Sequence, residues 1–346
     1  MKKIGCFLLA IVFVLTMMLG SMSEPVGAQE TEYEFYLLNV GMNNPYYLAI
    51  LQGAITASRN YENIRLINLD GREDSGYQAS QMTQIIAKDA DAILMDPVTS
   101  DALVSHAKRA MDKGIPVFCV DRDISIPENR ILAIGSNQRK IGRENAKYVV
   151  NFLKDSDIEK PWRIVIMQGT PGALANTERT GGWYDILDPY IENGDVEIVA
   201  DVASDWAREP AVENMTQILV NTKDIDVVIT SNDEEAAGAI TAIENNGLVP
   251  GGDMYITGVD ASQVGLNLVE RGKMLATVSH QAWLQGYWGF EAAARYVLEG
   301  EEPSEGKFED NYIITPIEMV DKSNVEDIAG PFGQPANPED VQPLPY

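Results

Sequence analysis

The chain has 346 residues, of which 45% are hydrophobic, and carries 26 lysine and arginine against 52 aspartate and glutamate residues. This length suffices for one large or two ordinary domains with a substantial core. The formal net charge of −26 argues against a surface that attracts nucleic acid or an anionic membrane, and its simplest role is to keep the protein soluble.

The first 28 residues have the layout of a secretory signal peptide. After two lysines comes an apolar run from Cys6 to Leu19, and then the small-residue site Val26-Gly27-Ala28. A membrane-spanning helix requires about 20 apolar residues, and this run is shorter. We therefore predict cleavage after Ala28 and export of the mature chain. Cys6 stands at the start of the apolar run rather than after it, which argues against a lipid-anchoring signal.

Between residues 30 and 325, short apolar runs alternate with amphipathic stretches. The runs are rich in Val, Ile and Leu, which is typical of strands buried on both faces of a parallel sheet. The predicted strands are Glu34–Val40, Ile64–Asp70, Ala92–Asp96, Ile115–Asp121, Ile131–Gly135, Arg163–Gly169, Val196–Ala203, Asp226–Asn232, Met254–Asp260 and Met274–His280.

The amphipathic stretches predict helices. Ser75 and Ser100 are the predicted N-caps of helices over Tyr77–Lys88 and Ala102–Lys113, and Pro45 suits the first turn of an earlier helix. Alternating strands and helices indicate an α/β fold with parallel sheets and helices on both faces. Ten such units exceed one comfortable sheet, so we predict two Rossmann-like lobes.

The composition changes after residue 330. Five prolines fall in the last 16 residues, and a segment of this kind is typically extended or disordered. We predict a strap without a chemical role. The prolines are Pro331, Pro335, Pro338, Pro343 and Pro345.

Polar and aromatic residues follow the predicted strands, where ligands bind in open α/β sheets. A polyhydroxylated ring requires this combination, because each hydroxyl donates and accepts while the ring faces pack on aromatic side chains. The alternative is that strand-end Asp and Asn residues only cap the following helices. The residues are Asn43-Asn44-Pro45-Tyr46-Tyr47, Asp121-Arg122-Asp123, Arg179, Trp206, Asn232-Asp233, Asp260 and His280-Gln281.

Familiar enzyme signatures do not occur in the sequence. There is no GxGxxG or GxxxxGK[ST] phosphate loop and no GxSxG nucleophile elbow. Only two histidines occur, His106 in a predicted amphipathic helix and His280, and Cys119 lies in an apolar run as a predicted core thiol. We therefore predict no metal site, no cofactor and no catalytic residues, although a catalytic carboxylate pair cannot be told from an acidic surface by inspection.

Several motifs resemble the periplasmic binding protein type 1 family in its sugar-binding branch, nearest to the ribose-binding group. The resemblance extends over nearly all of residues 34–325 and keeps the family's order and spacing. The most specific motifs are Asn43-Asn44-Pro45-Tyr46-Tyr47 with Gly53, Ile115-Pro116-Val117 before Asp121-Arg122, Glu178-Arg179, Asn232-Asp233-Glu234 with Gly238, Gly258-Val259-Asp260 and Ala276-Thr277-Val278.

The resemblance implies two lobes joined by three crossovers, near Gly135–Asn137, Ser279–Gln281 and Thr315–Ile317. The first lobe would comprise residues 29–135 and 281–315, and the second 136–280 and 316–330, with residues 331–346 as the tail. A ligand would bind in the cleft between the lobes and shift a mainly open protein to a closed form.

The resemblance also implies a role for each candidate residue. From the first lobe, polar side chains would bond ring hydroxyls and two tyrosines would form aromatic walls; the second lobe would supply further polar contacts and an indole wall. The implied ligand contacts are Asn44, Tyr46, Tyr47, Asp121 and Arg122 from the first lobe, Arg179, Trp206, Asn232 and Asp260 from the second, and His280 at the hinge.

Two residues depart from the ribose-binding pattern. Val40 occupies a position where that group usually has a small hydroxyl residue, and His280 stands where a glutamine is common. These departures preserve the sugar class but not ribose in particular. A hexose, another pentose, a cyclitol or a small furanosyl signal molecule would all be compatible.

The function implied is that of a monomeric, periplasmic solute-binding protein that delivers a sugar to an ABC permease. A sensor subunit that signals to a membrane kinase or chemoreceptor would share these features, so both remain open. A repressor with the same core would need an N-terminal helix-turn-helix domain, but residues 1–28 have the layout of a signal peptide. The negative net charge of the protein would also repel DNA. An exported enzyme would need a nucleophile and base that no motif supplies.

Overall fold

The computed structural model describes residues 33–302, 309–328 and 330–345. The predicted signal peptide, with Cys6 and the cleavage site at Ala28, lies outside the described residues. Within these ranges, none of the helices combines the length and the apolar character that a membrane span demands.

Strands and helices alternate along the described chain. The strands are β1 (Tyr33–Asn39), β2 (Ile64–Asp70), β3 (Ala92–Met95), β4 (Val117–Asp121), β5 (Leu132–Gly135), β6 (Trp162–Gln168), β7 (Val196–Ala203), β8 (Val227–Thr230), β9 (Tyr255–Val259), β10 (Ala276–Ser279), β11 (Tyr312–Ile314) and β12 (Glu318–Asp321). The α-helices are α1 (Pro45–Ser58), α2 (Ser75–Ala87), α3 (Val104–Asp112), α4 (Gln138–Asp155), α5 (Leu174–Glu192), α6 (Arg208–Asn221), α7 (Asp233–Asn245), α8 (Gln263–Glu270) and α9 (Ala282–Glu299).

The strands form two six-stranded sheets, one in each lobe. The first has the order β11-β5-β4-β3-β1-β2 and is parallel throughout. The second has the order β12-β10-β9-β8-β6-β7 and is parallel except for the antiparallel pair β10 and β12. The predicted two-lobed α/β fold is confirmed, and β11 and β12 are additional to the ten predicted strands.

The central strands of each sheet are buried on both faces, as their apolar runs predict, whereas β2 and β7 at the sheet edges are mostly half-buried or exposed. Along β3, Leu94 packs in one core beside Phe118, while Ile93 packs in the core on the opposite face beside Val117. Successive strand residues point to opposite faces, so a doubly covered strand needs apolar residues at every position. Full burial of each such side chain contributes about 1.5–3 kcal/mol.

The chain crosses between the sheets after β5, after β10 and between β11 and β12. Buried polar groups tie these crossovers together. The Oγ of Ser136 and the Nε2 of Gln285 donate hydrogen bonds to the backbone oxygen of His280 at 3.0 and 2.9 Å. The hydroxyl of Thr315 lies 2.9 Å from that of Ser136. The network joins one residue of each crossover to the first turn of α9.

The predicted caps of two helices are wrong. Asp74 caps α2, because its Oδ1 accepts the backbone N–H of Tyr77 at 2.9 Å, and Ser75 lies inside the helix. A carboxylate at a helix N-terminus also interacts favourably with the helix dipole. Helix α3 begins at Val104 without a side-chain cap, and the backbone oxygen of Ser100 instead accepts the N–H of Ser125.

The proline-rich tail packs on the protein. It contains only short 3-10 turns, at Pro331–Gly333 and Pro338–Asp340, as a largely extended segment would. Phe332 and Leu344 are nevertheless buried in the core of the first lobe. The segment is therefore part of the folded structure.

Candidate ligand-binding site

A cavity with about 370 Å³ of empty space lies between the lobes, where the carboxyl ends of both sheets face each other. The structure brings together all ten residues proposed from the sequence. The cavity is lined by Asn44, Tyr46, Tyr47, Asp121, Arg122, Arg179, Trp206, Asn232, Asp260 and His280, together with Gln138 and Ala175, which the sequence analysis missed.

Helix α1 places the aromatic residues of the first lobe. Asn44 caps it, since its Oδ1 accepts the backbone N–H of Tyr46 at 2.9 Å. The helix packs very closely on α9: a Cβ at Gly53 would lie only 1.9 Å from the backbone oxygen of Trp283. Glycine is therefore required there, and this close packing fixes where Tyr46 and Tyr47 enter the cavity.

The Tyr46 hydroxyl links both lobes through a chain of hydrogen bonds. It donates to Oδ1 of Asp121 at 3.0 Å and lies 3.1 Å from Nδ1 of His280. The other ring nitrogen of His280, Nε2, lies 2.9 Å from Oδ1 of Asp260 in the second lobe. The rings of Tyr46 and His280 also stack, with centroids 4.8 Å apart. The chain therefore connects a carboxylate of each lobe through the hinge.

The protonation of this chain follows from its burial. Burial lowers the pKa of His280 to about 3 and raises that of Asp260 to about 8. Burial also raises the pKa of the Tyr46 hydroxyl, which stays protonated at neutral pH. A neutral imidazole and a protonated carboxyl share one proton across the Asp260–His280 contact, so no net charge is isolated there.

Arg122 lies between buried acidic groups in the first lobe. Its Nη2 donates to the hydroxyl of Tyr47 at 2.7 Å, and its Nε lies 3.9 Å from Oδ1 of Asp96 and 3.7 Å from Oδ2 of Asp121. Asp96 is fully buried, and among the described residues neither of its carboxyl oxygens has a hydrogen-bond partner. Burial opposes the charge of Arg122, but these acidic neighbours outweigh it and raise the pKa of the guanidinium. Burial also raises the pKa of Asp96.

Arg179 provides a second buried guanidinium from α5. Its Nη1 donates to the backbone oxygen of Ser231, while Nε and Nη2 both donate to Oε1 of Gln138. The guanidinium carbon lies 5.2 Å from the ring centroid of Trp206, within the range of a cation–π interaction. Burial lowers the pKa of Arg179. The group is thus held as a planar donor at the cavity wall.

A strained loop presents Trp206. Asp205 and Trp206 adopt left-handed backbone angles, with φ of 54° and 62°. Glu235 stabilises this loop, because its carboxylate accepts the N–H of Trp206 and the N–H of Ser231, both at 2.9 Å. The side-chain amide of Asn232 donates to the backbone oxygen of Trp206 at 3.0 Å. Local strain of this kind persists only where the surroundings hold it, as these bonds do.

The buried carboxyls predict how stability depends on pH. Burial raises the pKa values of Asp233, Glu235 and Asp260 to about 8. The folded protein then binds more protons than the unfolded chain between about pH 4 and 8, so these groups lower the free energy of unfolding as pH rises through that window. His280 has the opposite effect. Burial lowers its pKa to about 3, so the unfolded chain binds a proton at this residue before the folded protein does. The free energy of unfolding that His280 contributes is therefore lost as pH falls below about 6.5, the usual pKa of a histidine.

Glu235→Gln tests this dependence. The variant cannot ionise at this position, so we expect its melting temperature to fall less between pH 5 and pH 8 than that of the wild type. Differential scanning calorimetry at both pH values measures the difference. The variant also loses a hydrogen bond to the backbone, which lowers its stability at every pH. The two proteins are therefore compared by the change in melting temperature between pH 5 and pH 8, not by the melting temperature itself. Parallel decreases in the two proteins would contradict the assignment.

Gln138 was missed although it meets the criterion used for the other residues. It follows β5 as the other candidates follow their strands, and it is the first residue of α4. The residues just before it, Gly135–Asn137, belong to a predicted crossover. Ala175 carries no polar group, and nothing in the sequence marks it as a cavity residue.

A family model for the periplasmic binding protein domain matches residues 35–302. The chain belongs to the periplasmic binding protein family. The predicted resemblance is thereby confirmed. Proteins of this family bind substrates and are not enzymes, and the family name places them in the periplasm.

Relatives of this periplasmic binding protein carry sugar names. A ribose import binding protein from Bacillus subtilis is 29% identical over 252 residues, which are 73% of this chain and 77% of that protein. The D-xylose-binding periplasmic protein of Escherichia coli is 29% identical over 267 residues, or 75% of this chain and 77% of that protein.

Solved structures share its fold. An ABC transporter solute-binding protein from Bacillus halodurans with bound myo-inositol is 25% identical, with a TM-score of 0.76, over 87% of this chain and 98% of that chain. A structure from Mycobacterium smegmatis in complex with β-D-fucofuranose is also 25% identical with a TM-score of 0.76, over 85% of this chain and 93% of that chain.

Proposed function

We propose that this protein is the extracytoplasmic binding component of an ABC importer and holds a monosaccharide, a pentose or a hexose, between its lobes. One observation carries the proposal: polar and aromatic side chains from both lobes and from the hinge converge on one cavity. The sugar names of several relatives support the ligand class.

The donors and acceptors suit ring hydroxyls. Arg122 and Arg179 offer rigid planar donors, whereas the carboxyls of Asp121 and Asp260 accept or share protons. A hydroxyl both donates and accepts, so it can bridge such groups. Hydrogen bonds to charged groups contribute about 1.5–3 kcal/mol each. The indole of Trp206 provides an apolar surface for a face of the ring.

Binding would stabilise the closed arrangement, because the ligand contacts both lobes at once. The chain from Asp121 through Tyr46 and His280 to Asp260 already spans the hinge, and a sugar would add contacts on either side of it. A ligand shifts a conformational equilibrium only by its differential affinity for the two states. A permease that recognises the closed shape, rather than the sugar, would then receive loaded protein.

Export and oligomeric state belong to the same proposal. The layout of residues 1–28 supports secretion to the periplasm with cleavage after Ala28, and a monomer suits delivery to a membrane permease.

N-terminal sequencing of the exported protein is expected to begin at Gln29. An N-terminus at Met1 in the exported fraction would contradict the cleavage site.

A thermal-shift panel tests the ligand class. Protein unfolded and refolded to remove co-purified ligand would be mixed with pentoses, hexoses, cyclitols, amino acids and nucleosides. A ligand at about 100 times its dissociation constant adds about 2.7 kcal/mol to the stability of the native state. We expect a pentose or hexose to raise the melting temperature and amino acids to leave it unchanged. A shift with amino acids or nucleosides alone would overturn the proposal.

A further inference from the structure

The C-terminal strap, residues 330–345, passes from one lobe to the other. Before it, Val325 and Ile328 pack against Leu266 in the second lobe. Along it, Val341 and Leu344 pack in the core of the first lobe. The chain therefore crosses between the lobes a fourth time, in addition to the three crossovers that flank the sheets.

Phe332 lies near the start of the strap and contacts both lobes. Its backbone N–H donates to the oxygen of Ala261, the residue after Asp260, at 2.9 Å. Its ring packs edge-on against Tyr46, with centroids 6.1 Å apart and planes at 77°. Phe332 is only 7% exposed and adopts φ of 58°, a left-handed conformation that a non-glycine residue rarely keeps without supporting contacts.

The strap is held at two points after Phe332. A Cβ at Gly333, where φ is 77°, would lie within 3 Å of the side chain of Gln281, so the strap runs directly against a crossover. Further on, Nε1 of Trp288 on α9 donates to the backbone oxygen of Gln342 at 2.8 Å. A segment fixed in this way can transmit a change in lobe position to Phe332.

We propose that the strap is a fourth interlobe connection, in which Phe332 positions Tyr46 and stabilises the closed arrangement. The contacts of Phe332 with Ala261 and with Tyr46 belong to different lobes, and separating the lobes breaks one of them. Phe332 packs against the Tyr46 ring, which stacks on His280, so the strap also restrains the side chains that line the cavity. This role in ligand retention rests on the proposed sugar-binding function.

Phe332→Ala and Leu344→Ala form a matched pair for the ligand-dependent test. Both remove a buried apolar side chain of the strap, but Leu344 packs only on the first lobe. For the sugar that the panel identifies, we expect Phe332→Ala to weaken binding about tenfold through faster dissociation, with association changed less than about threefold. Leu344→Ala should lower the melting temperature while its dissociation constant changes less than about twofold. Unchanged binding in Phe332→Ala, or equal loss in both variants, would overturn the proposal.

A measurement without ligand separates this proposal from the proposed function. Two exposed positions are replaced by cysteine and spin-labelled, Gln52→Cys on α1 and Glu209→Cys on α6. Pulsed electron paramagnetic resonance then measures the distance between the labels across the cleft. The buried Cys119 is left in place. Deleting residues 330–346 is expected to move the distribution to longer distances. An unchanged distribution refutes the strap's role, whatever ligand the panel finds. A panel without any sugar hit would refute the sugar assignment alone.

Discussion

Replacing Arg179 with alanine is expected to weaken sugar binding by about 10- to 150-fold, the equivalent of about 1.5–3 kcal/mol. The guanidinium is buried at the cavity wall and lies over the ring of Trp206. Its loss removes charge-assisted donors and also frees the oxygens of Ser231 and Gln138. Isothermal titration with the sugar found in the panel measures the change.

Arg143→Ala is the matched control. Arg143 lies on α4, which packs against the helix that carries Arg179, but it forms an exposed ion pair with Asp185 at 2.7 Å. Such pairs contribute about 0–1 kcal/mol to stability, and this one lies outside the cavity lining. The affinity of Arg143→Ala for the sugar should match that of the wild type. Unchanged affinity in Arg179→Ala would count against the site, because the variant lacks a guanidinium that bonds the sugar in this account.

Replacing Arg122 with alanine should have the largest combined effect, on both binding and stability. The variant loses the donor to Tyr47 and leaves Asp96 buried without its cationic neighbour. Removing one partner of a buried ion pair typically costs about 3–5 kcal/mol, and the 3.9 Å separation suggests about 3 kcal/mol here. Binding should fall at least about 100-fold. Chemical denaturation and titration measure the two effects separately.

The double variant Arg122→Ala with Asp96→Asn isolates the cause. A carboxamide at position 96 cannot ionise, so the double variant should be more stable than Arg122→Ala alone while binding stays weak. The stability loss should also be smaller at pH 5 than at pH 8, because burial raises the pKa of Asp96 and protonation relieves the unpaired charge. Equal stability of the single and double variants at both pH values would show that Asp96 is not the group that Arg122 neutralises.

The sequence predicts the fold well where strands are buried on both faces. Runs such as Ala92–Met95 are apolar at every position because helices cover both sides of the sheet. The strands β11 and β12 escape this rule. They have three and four residues, respectively, and both lie at sheet edges. In β11, Ile314 is 55% exposed, and β12 begins and ends with acidic residues. Short edge strands carry little of the pattern that marks a central strand.

The candidate site was predictable because parallel strands end on the same side of a sheet. That rule places Asn44 and Asp121 at one edge of the first sheet, and Asn232 and Asp260 at one edge of the second. The resemblance to the family adds the expectation that these two edges face each other across one cleft. It does not predict which side chains support the others. Glu235 follows Asn232 within a helix, and its role arises only because the Trp206 loop folds back onto it. Supporting contacts of this kind depend on tertiary geometry that a single sequence does not display.

The tail shows another limit of composition. Its prolines correctly indicate that no long helix or strand forms, because proline lacks the backbone donor and restricts its neighbour. They do not indicate whether the segment packs. That depends on Phe332 and Leu344, two isolated apolar residues that pack in the core of the first lobe.

A crystal structure of the protein with its best sugar tests the central claim most directly. The account predicts one ring between the lobes, with the carboxylate of Asp121 and the guanidinium of Arg179 each within hydrogen-bonding distance of different hydroxyls, and the indole of Trp206 against a ring face. Sugar bound to a single lobe, or at a surface away from His280, would contradict it.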